Sequence, residues 1–112
     1  MKRAWAVLLV AALLFATPAA AALPPIPNDV IQTYTTWNDL SFECEDKPSD
    51  ILLCDRVDVA YNTFWNTYHV YVLKSEIAAN PPDRRALHLT LMNPATATYR
   101  IHLRMKELGL LP

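Results

Sequence analysis

The chain has 112 residues, 53% of them apolar and 19% charged, with nine prolines and a single glycine. It is short enough for one domain, and the composition excludes a disordered tail, a collagen-like repeat and a Gly/Ser linker. With Gly109 alone, it also excludes the glycine-rich loops that let backbone approach a phosphate.

Residues 1–22 have the three parts of a secretory signal. Lys2 and Arg3 form a basic start, Ala6–Ala16 is an unbroken apolar run, and Thr17-Pro18 precedes the small residues Ala19–Ala22. Cleavage is expected after Ala22, with Ala21 as the neighbouring choice. The alternative is a retained anchor, since Ala4–Ile26 carries no charge. Pro18 interrupts that stretch, and the strongly apolar part is about half of the roughly 20 residues a spanning helix needs. The first cysteine is Cys44, too far from the cut to carry a lipid on a new N-terminus. The expectation is an exported chain, periplasmic or secreted, with no stable membrane anchor once the signal is removed.

Loss of Lys2 and Arg3 leaves eight bases against eleven acids, a formal charge of −3, which gives no support to nucleic-acid binding. The charge is unevenly spread. Asp29–Asp58 holds eight acids against Lys47 and Arg56, whereas Lys74–Glu107 holds six bases against three acids. The simpler expectation is that folding brings these two halves together; the alternative is a polarised face for a charged partner.

Residues 23–28 form a proline-rich lead, and 29–112 a single helical domain. Asn28 or Asp29 could cap a first helix bearing Val30, Ile31, Tyr34 and Trp37 on one side. Cys44 and Cys54, in an exported chain of this size, are expected to form a disulfide; no histidine lies close enough to suggest zinc. In Asp50–Glu76 the residue types favour a strand, but the polar positions Asp55, Asp58, Asn62, Asn66 and His69 recur at helical spacing. Leu53, Val57, Tyr61, Phe64, Tyr68 and Tyr71 fall opposite, so the segment reads as a long amphipathic helix capped by Ser49 or Asp50.

The remainder carries two competing signals. Asn80-Pro81-Pro82-Asp83, Asn93-Pro94 and the Gly109 stop predict helices at 82–92 and 94–108. The alternation of Leu87, Leu89 and Leu91, and of Tyr99, Ile101, Leu103 and Met105, would instead make 86–105 a β-hairpin in an α+β fold.

Phe42-Glu43-Cys44, a second cysteine at Cys54, the run Asp58-Val59-Ala60-Tyr61-Asn62-Thr63-Phe64-Trp65, then Asp83-Arg84-Arg85-Ala86-Leu87 and Tyr99-Arg100 together resemble the motifs of the LprI-type lysozyme inhibitors. The chain departs from that pattern in the short interval from Cys54 to Asp58 and in Ile101 where an acid is usual. The resemblance spans about residues 41–103. It implies a mostly helical, disulfide-stapled domain, which favours the all-α fold over the hairpin, and it implies inhibition of a lysozyme-type cell-wall hydrolase.

No catalytic constellation emerges from the residues. His69 falls on the polar stripe; His88 and His102 flank Asn93-Pro94 and could meet as a metal pair, but neither has a further ligand at helical spacing. Ser41, Ser49 and Ser75 lack a nucleophile-elbow context, and Glu43, Glu45, Asp46 and Asp50 read as caps and solvated charge. The expectation is a non-enzymatic binding module with no cofactor and no metal, its partner a protein. Trp65 and Tyr71, toward the edges of the apolar arc, are candidate exposed anchors, with Arg100 and Arg104 as candidate charged contacts. A structural or assembly component of the cell envelope is the alternative function.

Overall fold

The computed structural model describes residues 23–112; the expected export signal, residues 1–22, lies outside the described residues. Four α-helices follow the lead: α1 (Asn28–Asp46), α2 (Ile51–Ala78), α3 (Arg84–Leu91) and α4 (Pro94–Glu107), with a 3-10 turn at Pro81–Asp83 before α3. No strand occurs among the described residues, so the domain is all-α and residues 86–105 are not a hairpin.

The period-two pattern fails because it mixes two faces. Ile101 is fully buried, while Tyr99 and Leu103 beside it are 65% and 43% exposed. Ala97, Ile101 and Met105, four apart, are the residues that face the core. The ends of α4 follow from local chemistry. The Asn93 side chain accepts from the Ala95 and Thr96 N–H groups, and Pro94 occupies the first turn, where its missing N–H costs nothing. At the other end Gly109 takes φ +74°, with its N–H donating to Lys106 O and the Leu110 N–H to Met105 O. This is the paired Schellman closure that a left-handed glycine permits.

Asp50 caps α2, its carboxylate accepting from the Leu53 N–H at 3.0 Å. The start of α1 differs from expectation. Neither Asn28 nor Asp29 is the cap; Pro27 occupies that position in extended conformation, and its carbonyl accepts from the Val30 and Ile31 N–H groups. Proline's fixed φ already sets the entry geometry, and Asp29 instead accepts from the Val30 N–H within the first turn.

α1 and α2 form an antiparallel hairpin. The Cys44–Cys54 disulfide, with Cα atoms 5.1 Å apart, closes it near the turn. Farther along, Trp37 stacks edge-on against Tyr61 and Tyr34 against Phe64, with centroids 5.1 and 5.4 Å apart. α3 and α4 pack against the open end of this hairpin, so the core joins Val30, Ile31 and Tyr34 of α1 to Phe64, Tyr68 and Val72 of α2 and to Leu91 and Ile101. The helical phase read from the polar stripe holds: Phe64 and Tyr68 are buried, while Asp55, Asp58, Asn62, Asn66 and His69 are exposed. Tyr61 departs from it. It is 44% exposed: Trp37 packs against it from α1, and α3, eight residues long, does not reach that far down the hairpin. Among the described residues no helix is long and apolar enough to cross a membrane.

Candidate interaction site

The four residues singled out as partner contacts occupy two places. Trp65 is half-buried, its ring packed against Phe64 at 5.0 Å and Tyr68 at 5.7 Å. Its indole Nε1 is shielded from solvent and has no hydrogen-bond partner. The ring therefore serves largely as the edge of the core.

Tyr71 is not an exposed anchor. It is only 4% exposed, and its hydroxyl donates to Pro24 O at 2.6 Å while accepting from Arg100 Nη2 at 2.9 Å. The helical phase placed it at the edge of the apolar arc; what covers it is the lead, a segment with no helical period to announce its course. Arg100 also lies over the Tyr71 ring, with Cζ 5.6 Å from the centroid, and its Nη1 is buried without a partner. One turn on, Arg104 donates from Nε to Ile26 O at 3.2 Å and from Nη1 to Glu107 at 3.2 Å. The two arginines thus share a face near Glu107, as α4's period requires, but they hold the lead in place. Together with Leu23–Ile26, Leu103 and Glu107 they line a cleft of about 290 Å³.

Burial raises the Tyr34 hydroxyl above its ordinary value of 10.0. Burial also raises Tyr68, against the opposing charge of Arg100. Both phenols are therefore neutral donors and acceptors at physiological pH. Tyr68 donates to Leu91 O at 2.6 Å, tying α2 to the end of α3, and Tyr34 is paired with His102 at 2.8 Å.

His88 and His102 do not meet. His102 is taken by Tyr34, and His88 Nδ1 pairs with Glu76 at 2.6 Å, with the His69 ring 6.1 Å away. The described residues contain no group of three or more His, Cys, Asp or Glu arranged to hold a metal. The Ser41 and Ser75 hydroxyls donate to carbonyls one turn back in their own helices, to Trp37 and Tyr71.

The acidic and basic halves do not neutralise one another. Among the described residues the acid–base contacts are the Glu107–Arg104 ion pair and the Glu76–His88 contact, and neither uses an acid from 29–58. The stapled turn lies roughly 20 Å along α2 from Tyr68, beyond the reach of α3 and α4. There Asp39, Glu43, Glu45, Asp46, Asp50, Asp55 and Asp58 all face solvent. Among them stand Phe42, Ile51 and Leu52, which are 61%, 72% and 79% exposed. This surface combines negative charge with unburied apolar area on a backbone held by a covalent crosslink. The sequence signal for it was the run of acids itself; the exposed apolar residues carried none. No family model, curated protein or solved structure matches the chain.

Proposed function

We propose that the protein is an exported, non-enzymatic binding module that acts in the periplasm or outside the cell on a protein partner. A lysozyme-type cell-wall hydrolase is the first partner to test, on the strength of the motif resemblance to the LprI-type inhibitors. The observation that carries the reading is the stapled hairpin end, where seven solvent-facing acids surround Phe42, Ile51 and Leu52. Inhibition by occlusion needs a rigid surface that enters or covers a cleft, and a cationic hydrolase would be steered to an acidic one. The disulfide supplies rigidity at the point where the core does not.

The test is a cell-wall turbidity assay with residues 23–112 and a cationic lysozyme. Inhibition at micromolar protein is expected, weakening with added salt and on Glu43→Lys together with Asp46→Lys. Undiminished lysis at that concentration rejects the lysozyme reading. A structural or assembly role in the cell envelope is the second reading, favoured by the apolar residues α2 leaves in solvent. Absence of inhibition together with co-purification of an envelope protein would establish it in place of the first.

A further inference from the structure

α2 buries Phe64, Tyr68 and Val72 toward the other helices, yet it carries a second apolar row on its far side. Leu52, Val59, Val70, Leu73 and Ile77 are 79%, 66%, 51%, 44% and 73% exposed. With Arg56, Thr63 and Asn66, also exposed, they advance along the helix in alternating steps of four and three residues. At about 100° per residue these positions stay within an arc of roughly 100°, nearly opposite the buried face. That is the spacing of a coiled-coil seam, here about 40 Å long.

We propose that a second copy of this chain covers this seam, with the two α2 helices antiparallel about a two-fold axis near residues 63–66. The order of residues along the seam is self-complementary in that arrangement. Leu52 falls opposite the partner copy's equivalent of Ile77, Val59 opposite Val70, and Thr63 opposite Asn66. At these three levels apolar meets apolar and polar meets polar, and at the fourth Arg56 lays its aliphatic stem over Leu73.

Charge selects the same orientation. At the seam's ends the acidic stapled turn meets the end of α2 where Arg84 is fixed by bonds to the Ala79 and Ile77 carbonyls, with Arg85 beside it. A parallel pair would stack the two acidic turns instead. The partner here is the chain itself, and because the dimer covers Leu52 and part of the acidic turn it competes with a hydrolase for that end.

Sedimentation equilibrium of residues 23–112, from micromolar to about millimolar, is expected to show a dimer. Val70→Glu lies on an exposed position, so helicity and melting of the monomer should persist while dimer affinity falls by about a hundredfold. Val59→Lys should weaken the dimer similarly, and the double exchange Val59→Lys with Val70→Glu, whose side chains face each other only in the antiparallel register, should restore part of the affinity. A chain that stays monomeric near millimolar, or a dimer indifferent to Val70→Glu, overturns the proposal. A dimer that the double exchange fails to restore overturns the antiparallel register, and a different protein seated on this face of a monomeric chain overturns the self-association.

Discussion

The two ends of the α1–α2 hairpin are stabilised by different means. At the open end, Tyr34, Phe64, Tyr68 and Tyr71 are buried beneath α3, α4 and the lead, and the three tyrosine hydroxyls are spent on specific partners. At the closed end the side chains of 45–52 lie in solvent, and the crosslink between Cys44 and Cys54 stands where a core would otherwise be. A 90-residue domain buries too little surface to pack both ends of so long a hairpin. The covalent constraint frees the closed end to present charge and apolar surface together, which packing would have consumed.

The sharpest way to break this contrast is to attack each end separately. Phe64→Ala, at a site 2% exposed and ringed by Tyr34, Trp37 and Trp65, should cost about 3–5 kcal/mol by chemical denaturation. The loss should appear as a cooperative drop in stability of the whole domain. Cys54→Ser, which opens a loop of sequence separation 10, should cost roughly 3 kcal/mol and lower the melting temperature by the order of 10 °C. Its amide exchange should quicken mainly over 40–58, and uniform acceleration would show that the crosslink also supports the packed end.

Alkali tests the packed end alone. The Tyr34 and Tyr68 hydroxyls have their folded values raised above 10.0 by burial, so above that pH the unfolded chain releases protons that the folded chain retains. Stability is therefore complete below pH 10 and falls as pH rises through the raised values, and Tyr68→Phe should make that decline shallower. Gly109→Val tests the close of α4, whose neighbours Leu108 and Leu110 lie beside Asn28, Ile31 and Thr35 of α1. Nothing lies within 4 Å of an added Cβ, so its expected cost of about 1 kcal/mol comes from the left-handed backbone alone. Asn62→Leu, on the exposed stripe, should change stability by no more than about 0.5 kcal/mol. A cost comparable to that of Phe64→Ala would contradict the phase of α2.

What the sequence alone determined is local. Prolines after asparagine, a glycine near the C-terminus and polar residues at helical spacing mark starts, stops and phase, because capping and periodicity act over a few residues. Asn93, Gly109 and the placement of Phe64 against Asn62 were legible for that reason, and so was the pairing of two cysteines. The tertiary structure decided which apolar residues are covered. α2 has apolar side chains on every side, and phase says which of them share a face without saying what packs there. Tyr71 is buried and Tyr61 is exposed because the lead crosses one and α3 stops short of the other. Arg100 and Arg104 were correctly placed on one face, yet their hydrogen bonds go to Tyr71 and the carbonyl of Ile26, residues 29 and 78 positions away. The separation of the acids from the bases is likewise a matter of where the helices pack, since burial of the aromatic face, rather than charge pairing, sets how α3 and α4 dock.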